Sequence, residues 1–184
     1  LRQAGFSVEI LDALAVSRSR IIHWPAEMEY LKEFYEPADV STFCLFNCFR
    51  HYGYSFEHIG KSTRKSGAFL VGISSLFTAY SRQALETARI VKAYHPNCKV
   101  VIGGHHPTAL PRESLSDPAV DFIIRGEGEI SLPLLARALQ SGQPTDRIPG
   151  IGLRAFDGSL RISPPTFVID LGTIPLPALD LINR

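Results

Sequence analysis

Three apolar runs, each ending on small residues, set the frame of this chain. Residues 68–74 read Ala-Phe-Leu-Val-Gly-Ile-Ser, residues 99–103 read Lys-Val-Val-Ile-Gly, and residues 120–124 read Val-Asp-Phe-Ile-Ile. Runs with little polar alternation are what strands buried on both faces require, so they predict central parallel strands. Helical periodicity fills the gaps. Ser55 is placed to cap a helix over 56–65 that stops at Gly67. Ser81 is placed to cap a second helix over 82–94, with Ala84, Leu85, Ala88 and Val91, and Ile90 beside them, facing the sheet. A third helix spans 127–140, with Ile130, Leu132, Leu134, Leu135 and Leu139 as its apolar face and Gly142 as its stop. Leu115 falls in a short helical turn.

The two ends of the chain differ from this middle. Residues 1–5 read as the last turn of a helix closed by Gly5, and 6–11 alternate strictly enough for a strand. Residues 14–53 carry Trp24, Tyr30, Phe34, Tyr35, Phe43, Phe46, Phe49 and Tyr52 without sustained periodicity, apart from a short amphipathic helix over 27–35. The stretch is too long for a bare loop and predicts an insertion with its own structure. Near the other end, 150–154 and 160–162 flank Asp157-Gly158, a hairpin turn pair. Pro164, Pro165, Pro175 and Pro177 then predict an extended connector. Strand and helix in alternation predict a doubly wound α/β sheet.

Composition narrows the function classes. The 184 residues are 45% hydrophobic and 20% charged, with a net charge of +1. That balance predicts no affinity for nucleic acid or membrane surfaces. No run approaches the roughly 18 apolar residues of a membrane span, and the first residues lack a signal-peptide layout. Three cysteines without a disulfide framework fit a reducing cytosol, so a cytoplasmic location is expected.

Chemistry concentrates at the strand ends, where open α/β sheets bind ligands. Ser74-Ser75-Leu76 closes the first run. Its hydroxyls either bind a polar atom in an apolar slot or cap the next helix. Gly103-Gly104 closes the second, and a glycine pair there lets a large ligand lie on backbone or frees a turn. His105 and His106 follow, either as metal or acid/base groups or as polar rim residues; the rim reading is preferred, because neighbouring side chains on extended backbone point apart. Arg125-Gly126-Glu127-Gly128-Glu129 closes the third. Its amides suit an acceptor group, and its carboxylates equally suit the start of a helix. Cys44, Cys48 and His51 have C-x3-C-x2-H spacing that mimics a cluster motif, but a fourth ligand is missing, and buried apolar cysteines are the preferred reading. Neither a G-x-G-x-x-G following a strand nor a P-loop is present.

Taken in order, residues 71–76, 100–109 and 121–129 resemble the cobalamin-binding domain that precedes the catalytic barrel of cobalamin-dependent radical S-adenosylmethionine (SAM) enzymes. The segment from Ile148 through Asp157-Gly158 to Ala178 is similar to that family's connector. The resemblance implies a flavodoxin-like sheet, with this chain starting after the first strand. It implies that Ser74, Ser75, Leu76 and Thr78 contact a buried nucleotide tail of cobalamin, that Gly103 and Gly104 underlie the tail with His105 at its rim, and that Gly126, Glu127, Gly128 and Glu129 close its far side. The D-x-H-x-x-G motif that supplies a cobalt-binding histidine in other cobalamin domains is absent, so base-off binding without a histidine ligand is expected. The expected division is a cobalamin-binding domain over 1–145, with the aromatic insertion at 14–53, and a hairpin and connector over 146–184. The connector leads toward a radical SAM barrel, which would be the partner and would hold the iron-sulfur cluster and SAM. The chain alone is expected to hold no catalytic residue and no protein metal ligand. Two rival readings share the same residues. One is a small nucleotide- or sugar-binding transferase using Glu127 and His105. The other is a partner-binding module built on the aromatic insertion.

Overall fold

The computed structural model describes all residues except 35–37, 39, 41, 43–47 and 183–184. The chain divides into two compact units, one formed by 1–11 and 56–182 and the other mainly by 12–55. The first is a mixed α/β unit of flavodoxin-like type. Its five strands are β3 (Leu70–Ser74), β4 (Lys99–Gly103), β5 (Phe122–Ile124), β6 (Ile151–Arg154) and β7 (Leu160–Ile162), in that spatial order. β3, β4 and β5 are parallel; β6 runs antiparallel to β5, and β7 antiparallel to β6. The hairpin around Asp157-Gly158 therefore extends the sheet itself. Its turn is held by the Asp157 carboxylate, which accepts the Ser159 amide at 2.9 Å and hydroxyl at 2.6 Å.

Helices cover both faces, as the apolar patterns require. On one face Ala88 and Val91 of α2 (Ser81–Tyr94) join Leu115, Val100, Ile102 and Ile123. On the other, Leu135 and Ala138 of α5 (Gly128–Ser141) pack on Val101, Phe122, Ile124, Ile151 and Leu153. Ile130 and Leu134 stay exposed, so the apolar face of α5 is narrower than its sequence predicts. α1 (Phe56–Ser66) lies against α2, where the chain passes so closely that a Cβ at Gly60 would sit 2.6 Å from the Tyr94 ring. Two short helices, α3 (His105–Ala109) and α4 (Pro111–Ser114), follow β4.

Two local expectations need correction. Residues 6–11 form no strand among the described residues. Phe6 and Val8 are half-buried while Ser7 and Glu9 are exposed, so the alternation is real, but the Phe6 amide bonds back to the Leu1 carbonyl at 3.2 Å and no described strand pairs with the segment. Phe6 instead rests near Phe69, with ring centroids 6.2 Å apart. Ser81 does not cap α2; it is the first helical residue and is buried, and Tyr80 stands at the cap position without a side-chain bond. Gly5 does close a short 3₁₀ turn at Arg2–Ala4.

The second unit is a two-stranded antiparallel ribbon, β1 (Ser19–Ile22) and β2 (Phe49–Tyr52). Trp24 and Phe49 meet edge-on at 4.9 Å, and the helix expected over 27–35 is a 3₁₀ run at Ala26–Phe34. Cys44 lies outside the described residues; Cys48 is half-buried, and the His51 ring bonds the Tyr54 carbonyl at 3.0 Å.

Candidate functional site at the strand ends

The carboxyl ends of β3, β4 and β5 meet through a continuous set of backbone and hydroxyl bonds. The Ser75 amide donates to the Gly103 carbonyl at 2.8 Å, and the His106 amide donates to the Ser75 carbonyl at 3.2 Å. Thr108, one turn into α3, donates its hydroxyl to the Gly104 carbonyl at 2.8 Å and accepts the Gly126 amide at 2.9 Å. Arg125 reaches across, donating to the Thr108 carbonyl at 3.1 and 3.3 Å and to the Ser163 carbonyl at 2.7 Å. Thr108 and Arg125 lie within the strand-end motifs, but their sequence assigns them no role. The one signal for Thr108 was its spacing of four from Gly104, which suits a hydroxyl bonding back along a helical turn.

Two neighbouring glycines here do different work. Gly104 has φ +119°, and a Cβ on it would sit 2.5 Å from the Ser75 carbonyl oxygen. Its glycine is required by the fold. A Cβ on Gly103 would meet no atom within 4 Å. Gly103 shares a face with Ser74, Gly72 and Val101, because alternate residues of paired strands point the same way. α5 packs on this face at Val101 and Leu70, yet Gly72 and Ser74 are exposed. The sheet is thus clothed by α5 over its centre and bare over the ends of β3 and β4.

The side chains around this bare floor are unevenly satisfied. Ser75 is 4% exposed, and its hydroxyl has no hydrogen-bond partner. His106 is 2% exposed; its Nδ1 lies 3.3 Å from the Thr78 hydroxyl, and its Nε2 has no partner. The preference for His106 as a rim residue is therefore corrected: the ring is buried, because α3 begins at His105 and turns the second histidine inward. His105, the first residue of α3, is exposed. Leu76 is 48% exposed, and Phe77 and Tyr80 meet edge-on with centroids 6.4 Å apart.

The Gly126–Glu129 loop is tied down on one side. Gly126 has φ +78°, and a Cβ would lie 2.1 Å from the Thr166 carbonyl oxygen. The Glu127 amide donates to that same oxygen at 2.8 Å, and the Glu127 carboxylate accepts the Val168 amide. Glu127 and its amide therefore hold the proline-rich segment, while Gly128 opens α5 and Glu129 is exposed in its first turn. An open depression of about 580 Å³, lined by Arg89, Lys92, Asp117, Pro118 and Ala119, lies at the opposite, amino-terminal edge of the sheet. Among the described residues no three His, Cys, Asp or Glu side chains cluster as metal ligands, and no helix is long and apolar enough to cross a membrane.

A parallel sheet with a bare floor at its strand ends defines an α/β ligand-binding domain. Solved structures share the fold. The cobalamin-dependent SAM radical enzyme OxsB, with aqua-cobalamin and SAM bound, aligns with a TM-score of 0.60 at 21% identity, over 69% of this chain and 18% of that one. The radical SAM methyltransferase TsrM of Kitasatospora setae, with cobalamin and a [4Fe-4S] cluster bound, aligns with a TM-score of 0.52 at 20% identity, over 66% of this chain and 23% of that one. The family model "B12 binding domain" matches residues 14–136, and the chain belongs to that family. Among curated relatives, an uncharacterized methyltransferase of Pyrococcus horikoshii is 33% identical over 130 residues, covering 70% of this chain and 28% of that protein. The cytidylyl-2-hydroxyethylphosphonate methyltransferase of Streptomyces wedmorensis is 32% identical over 116 residues, covering 63% and 22%. This chain thus spans less than a third of the relatives it matches.

Proposed function

We propose that this chain holds cobalamin base-off, without a histidine ligand, as the cofactor module of a cytoplasmic radical SAM enzyme. The observation that carries the reading is the floor of Gly72, Ser74 and Gly103, left bare where α5 stops. A Cβ at Gly103 would stand in open space there, and Ser75, the residue after Ser74, carries a buried hydroxyl without a partner. Both features fit an elongated, largely neutral ligand tail lying on backbone.

The chain's own residues bind, orient and shield. Ser74, Ser75 and Thr78 offer hydroxyls along one wall, and Leu76 offers an apolar contact. Gly103 leaves room for the tail, and Gly104 lets the β3 and β4 ends approach closely enough to form the wall. His105 lines the rim. Gly126, Glu127, Gly128 and Glu129 form the far wall, with Glu127 fixing it to Val168. Cobalamin, when bound, supplies a cobalt centre suited to carrying a methyl group, and the protein's part is orientation. The partner is a radical SAM barrel that follows the proline-rich connector and carries SAM and an iron-sulfur cluster; the relatives above support this. Histidine-free binding is supported by the absence of D-x-H-x-x-G from the sequence.

The test is electron paramagnetic resonance of the chain loaded with cob(II)alamin. The expected spectrum shows no superhyperfine splitting from an axial nitrogen. Splitting from one nitrogen contradicts base-off, histidine-free binding.

A further inference from the structure

We infer that His106 is a ligand-binding residue, and that its Nε2 and the Ser75 hydroxyl together receive a neutral acceptor atom of the bound cofactor. The inference rests on the cobalamin reading above and names the polar contact within it. Two buried polar atoms on adjoining segments lack partners, Ser75 Oγ and His106 Nε2. The residues that carry them are 4% and 2% exposed. Buried polar groups in folded proteins are nearly all hydrogen-bonded, so two orphans on residues that share a backbone hydrogen bond mark a place kept for something else.

The neighbouring bonds fix what that something is. Ser75 and His106 are joined by the His106 amide on the Ser75 carbonyl, which sets the two residues next to each other at the strand ends. The Thr78 hydroxyl sits 3.3 Å from His106 Nδ1. When Thr78 donates there, Nε2 carries the proton and becomes a donor. The Ser75 hydroxyl is also free to donate. Two donors and no charged partner favour an uncharged acceptor, either a heteroaromatic ring nitrogen or a carboxamide oxygen. Thr78 is then a positioning residue that sets the tautomer. The exposed Leu76 and Phe77 on the same segment supply apolar surface around the polar pair.

The test compares Ser75→Ala, His106→Phe and His106→Gln with the wild-type chain. Each is titrated with hydroxocobalamin and with dicyanocobinamide, which lacks the nucleotide base, and each ligand-free chain is melted. Removing an orphaned buried polar atom costs the ligand-free fold nothing, so the melting temperature of Ser75→Ala is expected to stay level or rise, while His106→Phe also gives up the Nδ1 contact with Thr78 and is expected to fall slightly. Their affinity for hydroxocobalamin is expected to fall about tenfold, with His106→Gln recovering part of it. A fall confined to hydroxocobalamin assigns the acceptor to the ring nitrogen of the base. An equal fall with dicyanocobinamide assigns it to a corrin carboxamide. Unchanged affinity in both apolar variants, beside a wild-type chain that binds, overturns the assignment and leaves the cobalamin reading standing. A wild-type chain that takes up neither corrinoid overturns the reading itself, and the assignment with it.

Discussion

The two edges of the sheet are finished differently. At the amino-terminal edge the charges are answered. Arg89 donates to Asp117 at 2.7 Å and to Glu86 at 3.1 Å, and the other Asp117 oxygen accepts the Ala119 amide at 2.9 Å. Lys92 meets Asp121 at 2.6 Å and the Cys98 carbonyl at 2.7 Å, and Asp121 also accepts the Val100 amide. At the carboxyl-terminal edge there are glycines, an exposed serine and two buried polar atoms without partners. The depression at the amino-terminal edge is lined by groups that already satisfy one another, whereas the unmet hydrogen bonds among the described residues fall at the carboxyl-terminal edge. Unmet bonding, more than hollow volume, marks where a ligand contributes to the fold.

The comparison can be broken by substitutions that touch one edge at a time. The largest loss of stability is expected from Gly126→Ala and Gly104→Ala. The positive φ alone costs on the order of 1–3 kcal/mol, and each new Cβ meets a carbonyl oxygen at 2.1 or 2.5 Å. Urea unfolding should show a lowered midpoint for both, and a midpoint like that of the wild type would contradict the close approach. A smaller loss, about 2 kcal/mol, is expected from Asp117→Ala, which strands the Arg89 pair and the Ala119 amide. Cobalamin affinity should be unchanged in that variant, and a fall would show that the two edges are coupled. The smallest effect concerns pH. Burial holds the Cys98 thiol above the ordinary thiol range. A folded value above the unfolded one leaves stability intact below the ordinary thiol pKa and removes it as pH rises through the raised value. Thermal melts at rising alkaline pH should show the wild type losing more than Cys98→Ala, and parallel losses would contradict the burial of this group.

Much of this was legible in the sequence, and the reasons are physical. β4 runs over Lys99–Gly103, the range its apolar pattern predicts, because a central strand is buried on both faces and its sequence says so. The hairpin declared itself through Asp157-Gly158. The 6–11 segment misled because alternation records which side chains face inward and is silent about a pairing neighbour. Gly126 looked like a ligand-facing glycine in its local motif; the atom that demands it belongs to Thr166, forty residues on, in a stretch that read as connector. His106 was obscured by His105, since two adjacent histidines diverge differently at a helix start than on a strand. The Gly103-Gly104 pair was visible at once, but only geometry separates the glycine the fold needs from the one it leaves open.

That separation gives the most direct test of the account. Gly103→Leu starts a side chain on the bare floor from a Cβ that meets no atom within 4 Å, and it leaves the Gly104 turn as it is. Titration of the wild-type chain and this variant with hydroxocobalamin, followed by absorption, should give a saturable corrin spectral change in the wild type. In Gly103→Leu the change should be weakened tenfold or more, on the order of 1.4 kcal/mol, at an unchanged melting temperature. Equal binding by the two chains would contradict the claim that cobalamin lies on the carboxyl-terminal edge of the sheet.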